Sequence, residues 1–149
     1  MDCGYRLHAR LGYKVSRLAR LMETQLEEML NPFGITRLMW CILSGVGLED
    51  IKTPSALASY VGIARSAVSR ALRTMEETGL ITRCGAGGDG RGVEIGLTEK
   101  GKAVLEQCRP LVERLNEHFT GKIEENELQS VLRLVDALSA GETRELSRL

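Results

Sequence analysis

The stretch TPSALASYVGIARSAVSRALRTMEETG, residues 53–79, constrains the fold more than any other part of the chain. Thr53-Pro54 is a helix start: a hydroxyl that can cap, then a proline at the one position where its missing N–H costs nothing. SALASYVG reads as a short helix running to Gly62. After a tight turn, ARSAVSRALRTMEETG reads as a second helix that Gly79 ends, with Val68, Ala71, Leu72 and Met75 along one apolar stripe. Two helices joined this closely make a helix-turn-helix.

The other side of the second helix is polar in a particular way. Ser66, Ser69, Arg70 and Arg73 recur at three- and four-residue spacing away from the stripe, with Arg65 on the first turn. Arginine bridges guanine edges or phosphates, and short hydroxyls let a helix approach closely. Acid arrives only at Glu76 and Glu77. Taken alone, such a stripe also describes an ordinary solvated helix face.

Beyond Gly79 comes ITRC, a short strand, then CGAGGDGRG at 84–92, then VEIGL at 93–97 with the alternation of a half-buried strand. From Gly85 to Gly90 the loop spells G-x-G-x-x-G. A dinucleotide site needs a buried strand before the first glycine and a helix opening near the last, to carry the pyrophosphate. Here a strand-like segment follows instead. The two strands read as a β-hairpin with a glycine-rich tip, expected to be mobile over 85–90, in which Asp89 and Arg91 are the informative side chains.

Long amphipathic helices flank this unit. Leu7, Leu11, Val15, Leu18, Met22, Leu26 and Met29 predict one helix over 5–30, stopped by Asn31-Pro32 and Gly34. Thr36 caps a helix through LMWCILSGVG, whose end Gly45 and Gly47 are expected to loosen. Thr98 caps another, with Val104, Cys108, Leu111, Leu115 and Phe119 on its apolar face and Pro110 expected to kink or interrupt it. A last helix covers about 125–139. Long amphipathic helices do not bury their stripes alone, so the terminal helices are expected to pack on each other and on those of a second subunit.

Twenty basic and twenty acidic residues cancel, so any basic surface must be local. No apolar run approaches the roughly 20 residues a membrane helix needs, and the N-terminus has no apolar signal core. Cys3, Cys41, Cys84 and Cys108 are scattered without C-x-x-C or nearby histidine, so neither zinc site nor disulfide framework is expected, and a reducing cytoplasm is the natural setting. No cofactor is expected.

GITRLMW, ALASYVGIARSAVSRALRTMEETGLITR and the wing ending DGRGVEIGLTEKG together resemble the winged helix of MarR-family transcriptional regulators. The resemblance implies a mainly α fold with a small β-wing: a winged helix-turn-helix at 34–101, between an N-terminal dimerisation helix at 1–33 and C-terminal dimerisation helices at 102–149. It implies a homodimer on double-stranded, pseudo-palindromic DNA, with half-sites about one helical turn apart. Ser66, Ser69 and Arg70 would face the major groove, Arg65 and Arg73 would touch bases or phosphates, and Asp89 would aim Arg91 into the minor groove.

It further implies a repressor switched by a small-molecule effector, held where the terminal helices meet the winged helix, or by cysteine oxidation. Cys3, near Arg6 and His8, is the candidate redox residue. Two alternatives remain: an enzyme using the Gly85–Gly90 loop for a nucleotide, for which no acid/base or nucleophile set appears with recognisable spacing, and a protein-interaction module that kept the fold but lost DNA, against which stand the arginines retained in helix and wing. One departure stands out. Ala64 occupies the position where the family usually has a capping Asp or Ser, so about 0.5–2 kcal/mol of cap energy is absent or supplied elsewhere.

Overall fold

The computed structural model describes residues 4–85 and 92–149. Six α-helices and one hairpin appear among them: α1 (Leu11–Leu30), α2 (Arg37–Leu48), α3 (Pro54–Val61), α4 (Arg65–Glu77), β1 (Ile81–Gly85), β2 (Val93–Leu97), α5 (Glu99–Thr120) and α6 (Glu125–Ser139). Three threonines begin helices as their sequence positions predict. Thr36 Oγ1 accepts from the Met39 N–H at 3.2 Å, Thr53 Oγ1 from Ala56 at 3.2 Å, and Thr98 Oγ1 from Gly101 at 3.0 Å. The strands pair antiparallel, from Ile81 opposite Leu97 to Gly85 opposite Val93. None of the helices is long and apolar enough to cross a membrane, among the described residues.

The core lies under the helix-turn-helix. Val68, Leu72 and Met75 of α4 are wholly buried, together with Ile42 and Leu43 of α2 and Leu57 of α3, while Ile81 and Ile95 close it from the hairpin. Complete burial of each such side chain contributes about 1.5–3 kcal/mol. The fourth inward position differs from expectation: Ala67 is buried and Ala71 only half-buried.

The join between α4 and α5 explains why the hairpin sits where it does. Three successive carbonyls at the end of α4 accept bonds from the start of α5. Lys100 Nζ donates to Thr78 O at 2.8 Å, Thr98 Oγ1 to Gly79 O at 2.5 Å, and the Thr98 N–H to Leu80 O at 3.1 Å. This proximity leaves no room at Gly101, where a Cβ would run into the Leu80 carbonyl oxygen.

Three expectations need correction. The 5–30 helix begins only at Leu11, after a separate 3₁₀ turn at Leu7–Ala9. Gly45 and Gly47 do not loosen α2, which runs on to Leu48. They are small because the helix is crowded there: a Cβ on Gly47 would strike Leu105 and Leu97, and one on Gly45 would press on Leu57 and Tyr60. Pro110 does not interrupt α5, which continues through it to Thr120. A proline forfeits one backbone hydrogen bond, and the neighbouring turns and the buried Leu105 and Cys108 hold the helix across it.

The terminal helices keep much of their apolar stripe in solvent. Leu11, Val15 and Leu18 on α1 and Leu132, Val135 and Leu138 on α6 are exposed, and α6 has no buried residue at all.

Gly101→Ala should lower unfolding stability by about 1–3 kcal/mol through overpacking at the α4–α5 join. Urea denaturation should show a reduced midpoint with an unchanged slope.

Candidate nucleic-acid interface

Burying one face of α4 decides what the other presents. With Val68, Leu72 and Met75 against the core, Arg65, Ser66, Ser69, Arg70 and Arg73 are all exposed along the outer side. No acidic residue lies within 4.0 Å of those three guanidinium groups, among the described residues. The later acid is occupied elsewhere: Glu76 pairs with Arg83 of β1 at 3.1 Å, tying the hairpin to the helix. Sequence reasoning missed Arg83, because the pair joins a helix and a strand through a turn that no short-range spacing rule describes. Asp89 and Arg91, and the loop tip assigned mobility, lie outside the described residues, as does Cys3.

The glycine-rich loop lacks the surroundings of a nucleotide turn. β2 begins at Val93 and pairs back on β1, and the first helix after the loop starts only at Glu99. No helix N-terminus follows the last glycine to receive a pyrophosphate.

Behind the helix-turn-helix, α1, α2 and α5 meet around a cavity of about 350 Å³ walled by Met22, Leu26, Cys41, Val112 and Leu115. Its polar lining is Glu23, Asn116 and Arg37, the last at the first position of α2. The Arg37 guanidinium is largely buried and holds three acceptors: Glu27 at 2.8 Å and Glu23 at 3.1 Å, both from α1, and the Leu149 carbonyl at 2.8 Å. A second cavity of about 420 Å³ opens between α2, β2 and α5, with Lys52, Lys102 and Arg109 at its rim. Those cations are already paired, with Asp50, Glu99 and Glu113 respectively.

The helix order, the hairpin after the second helix of the turn and the capped start of α5 are a winged helix between long flanking helices. Residues 33–92 match the family model described as MarR family. Solved MarR-family structures share the architecture across most of the chain. A mutant MarR from E. coli in complex with operator DNA is 26% identical, with 86% of this chain and 92% of that one covered and a TM-score of 0.75. The transcriptional regulator MosR from M. tuberculosis is 27% identical over 91% and 99% of the two chains, at a TM-score of 0.73. The winged-helix unit of this chain matches the MarR family. A more distant likeness, CouR from Rhodococcus jostii RHA1 bound to p-coumaroyl-CoA, shares the fold at 18% identity, with coverage of 91% and 96% and a TM-score of 0.80.

The cysteines sit in contrasting surroundings. Cys84 on β1 is exposed, Cys41 is half-buried beside the α1–α2–α5 cavity, and Cys108 is inaccessible. Burial pushes the Cys41 thiol above its ordinary value despite the opposing pull of the Arg37 charge, and burial likewise raises Cys108. Both therefore hold their protons to higher pH, and the thiolate is the reactive form. In a Cys3→Ser background at pH 8, a disulfide reagent should modify Cys84 first. Cys41 and Cys108 should follow only on unfolding, as peptide mass mapping would read.

Proposed function

We propose that the protein is a sequence-specific, DNA-binding transcriptional regulator that acts as a homodimer, a repressor released by a small-molecule effector. The observation that carries this reading is the outer face of α4, where three arginines and two serines stand exposed because the opposite face is wholly buried. In the major groove, Ser66, Ser69 and Arg70 would meet base edges, with Arg65 and Arg73 on bases or phosphates. Arg91, oriented by Asp89, would reach the adjoining minor groove. The operator DNA bound by the similar E. coli MarR supports the assignment.

Dimerisation is the reading that best accounts for the exposed apolar faces of α1 and α6, which a second copy would cover. Residues 1–33 and 102–149 then form the dimerisation domain and 34–101 the DNA-reading unit, and two α4 helices about a dyad call for a pseudo-palindromic operator. The cavity between α1, α2 and α5 is where an effector would act, since it touches both parts of the molecule. Its apolar walls, with Arg37, Glu23 and Asn116 as polar contacts, suit a compact apolar molecule carrying a polar group. Binding would shift the population of DNA-competent spacings between the two α4 helices.

Fluorescence anisotropy at fixed salt tests the DNA assignment. Arg70→Ala and Arg91→Ala should each weaken binding to a selected duplex by about 1–3 kcal/mol, and wild-type affinity in both would refute it. Val135→Glu combined with Leu138→Glu should shift sedimentation from dimer to monomer, because it places charge in the proposed dimer contact. An unchanged sedimentation coefficient would remove α6 from the interface.

A further inference from the structure

Of the helices from α2 to α5, α4 alone begins without a side-chain cap. Thr36, Thr53 and Thr98 cap α2, α3 and α5, and at the start of α6 Glu127 Oε2 accepts from the Glu124 N–H at 2.8 Å, the returning half of a capping box. At α4 both halves of such a box are missing. The Ala64 side chain has no oxygen to accept from the first turn, and the Ala67 side chain, three residues on, has none to reach back to the Ala64 N–H. The helix that presents the Arg/Ser face thus starts at the least secured point in the winged unit.

The chain supplies a partner from far away in sequence. After α6 it returns to the turn before α4, where Leu146 forms a parallel bridge with Ile63 and its carbonyl accepts the Ala64 N–H at 2.7 Å. Three residues later, the Leu149 carbonyl accepts from Arg37 Nη2 at 2.8 Å, and Leu149 lines the cavity between α1, α2 and α5. One short segment therefore touches both the start of the DNA-reading helix and the wall of the cavity.

We propose that residues 146–149 are an intramolecular strap that completes the N-terminus of α4 and couples it to that cavity. This rests on the reading of α4 as the DNA-reading helix. With the strap docked, the Ala64 N–H is satisfied and the first turn, carrying Arg65 and Ser66, is held in place. With the strap displaced, that donor turns to water and the turn frays, since α4 has no cap of its own. Arg37 is the fastening. Its guanidinium divides its donors among Glu23, Glu27 and Leu149, so a ligand acceptor entering the cavity competes with the Leu149 oxygen for the same Nη2. Ejecting the strap weakens DNA binding without any change to the residues that touch DNA.

Leu149→Asp in the full chain mimics displacement, because it sets a carboxylate beside Glu23 and Glu27. Hydrogen exchange and anisotropy on a selected duplex are then measured for four proteins: the unaltered chain, Leu149→Asp, Ala64→Ser and the double variant. Leu149→Asp should speed exchange of the Ala64 amide about three- to tenfold, the worth of one hydrogen bond, and weaken DNA binding by a similar factor. Ala64→Ser adds a cap, so in the double variant DNA affinity should recover while the residue-64 amide stays unprotected. Equal exchange at residue 64 with and without Leu149→Asp overturns the strap, as does faster exchange with unaltered DNA affinity. If the unaltered chain binds no duplex, the regulator reading fails, while the exchange rates still decide whether the strap holds α4.

Discussion

The burial of Val68, Leu72 and Met75 is the interaction on which the rest of the molecule depends. Those three side chains fix the rotation of α4 about its own axis, and a rotation of one residue step, about 100°, would carry the arginines away from the outer face. The partners are spread over α2, α3 and the hairpin, so the orientation of one helix is secured by the whole winged unit. A surface stripe of Arg and Ser gains direction only through that apolar anchor.

Rotation alone does not hold a helix along its axis, and the two ends of α4 are treated differently. Its C-terminal end is fastened by the neighbouring sequence: Thr98 and Lys100 take the Thr78, Gly79 and Leu80 carbonyls, and Gly101 allows the approach. Its N-terminal end depends on a carbonyl 82 positions away (146 minus 64), in a segment that also meets Arg37. Arg37 gathers α1, α2 and this segment at one guanidinium, whose planar fork suits several fixed acceptors at once. The region around Arg37 and Ala64 is therefore where a change in the flanking helices can reach the exposed face of α4.

Much of this was legible in the residues because it is local. Thr36, Thr53 and Thr98 announce helix starts by their own hydroxyls, and the strand over 93–97 shows its period directly. The outer face of α4 follows from the spacing of its apolar positions, with only the shift from Ala71 to Ala67 unforeseen. Asp89 and Arg91 drew meaning from family resemblance. What was misread depends on three-dimensional neighbours. Gly45 and Gly47 resemble helix breakers until Leu57, Tyr60, Leu97 and Leu105 are packed beside them, and Pro110 resembles an interruption until the turns around it are in place. The Arg37 ion pairs span ten and fourteen positions, and the bond to Ala64 comes from a backbone carbonyl, which every residue possesses and no sequence pattern marks.

We propose that the outer face of α4 reads DNA sequence as one of a symmetric pair. Repeated selection of duplexes from a random pool by the full chain, followed by sequencing, tests it most directly. The selected duplexes should converge on an inverted repeat, with half-sites about one helical turn apart. A pool that stays unenriched after several rounds, or converges on a single asymmetric half-site, would contradict it.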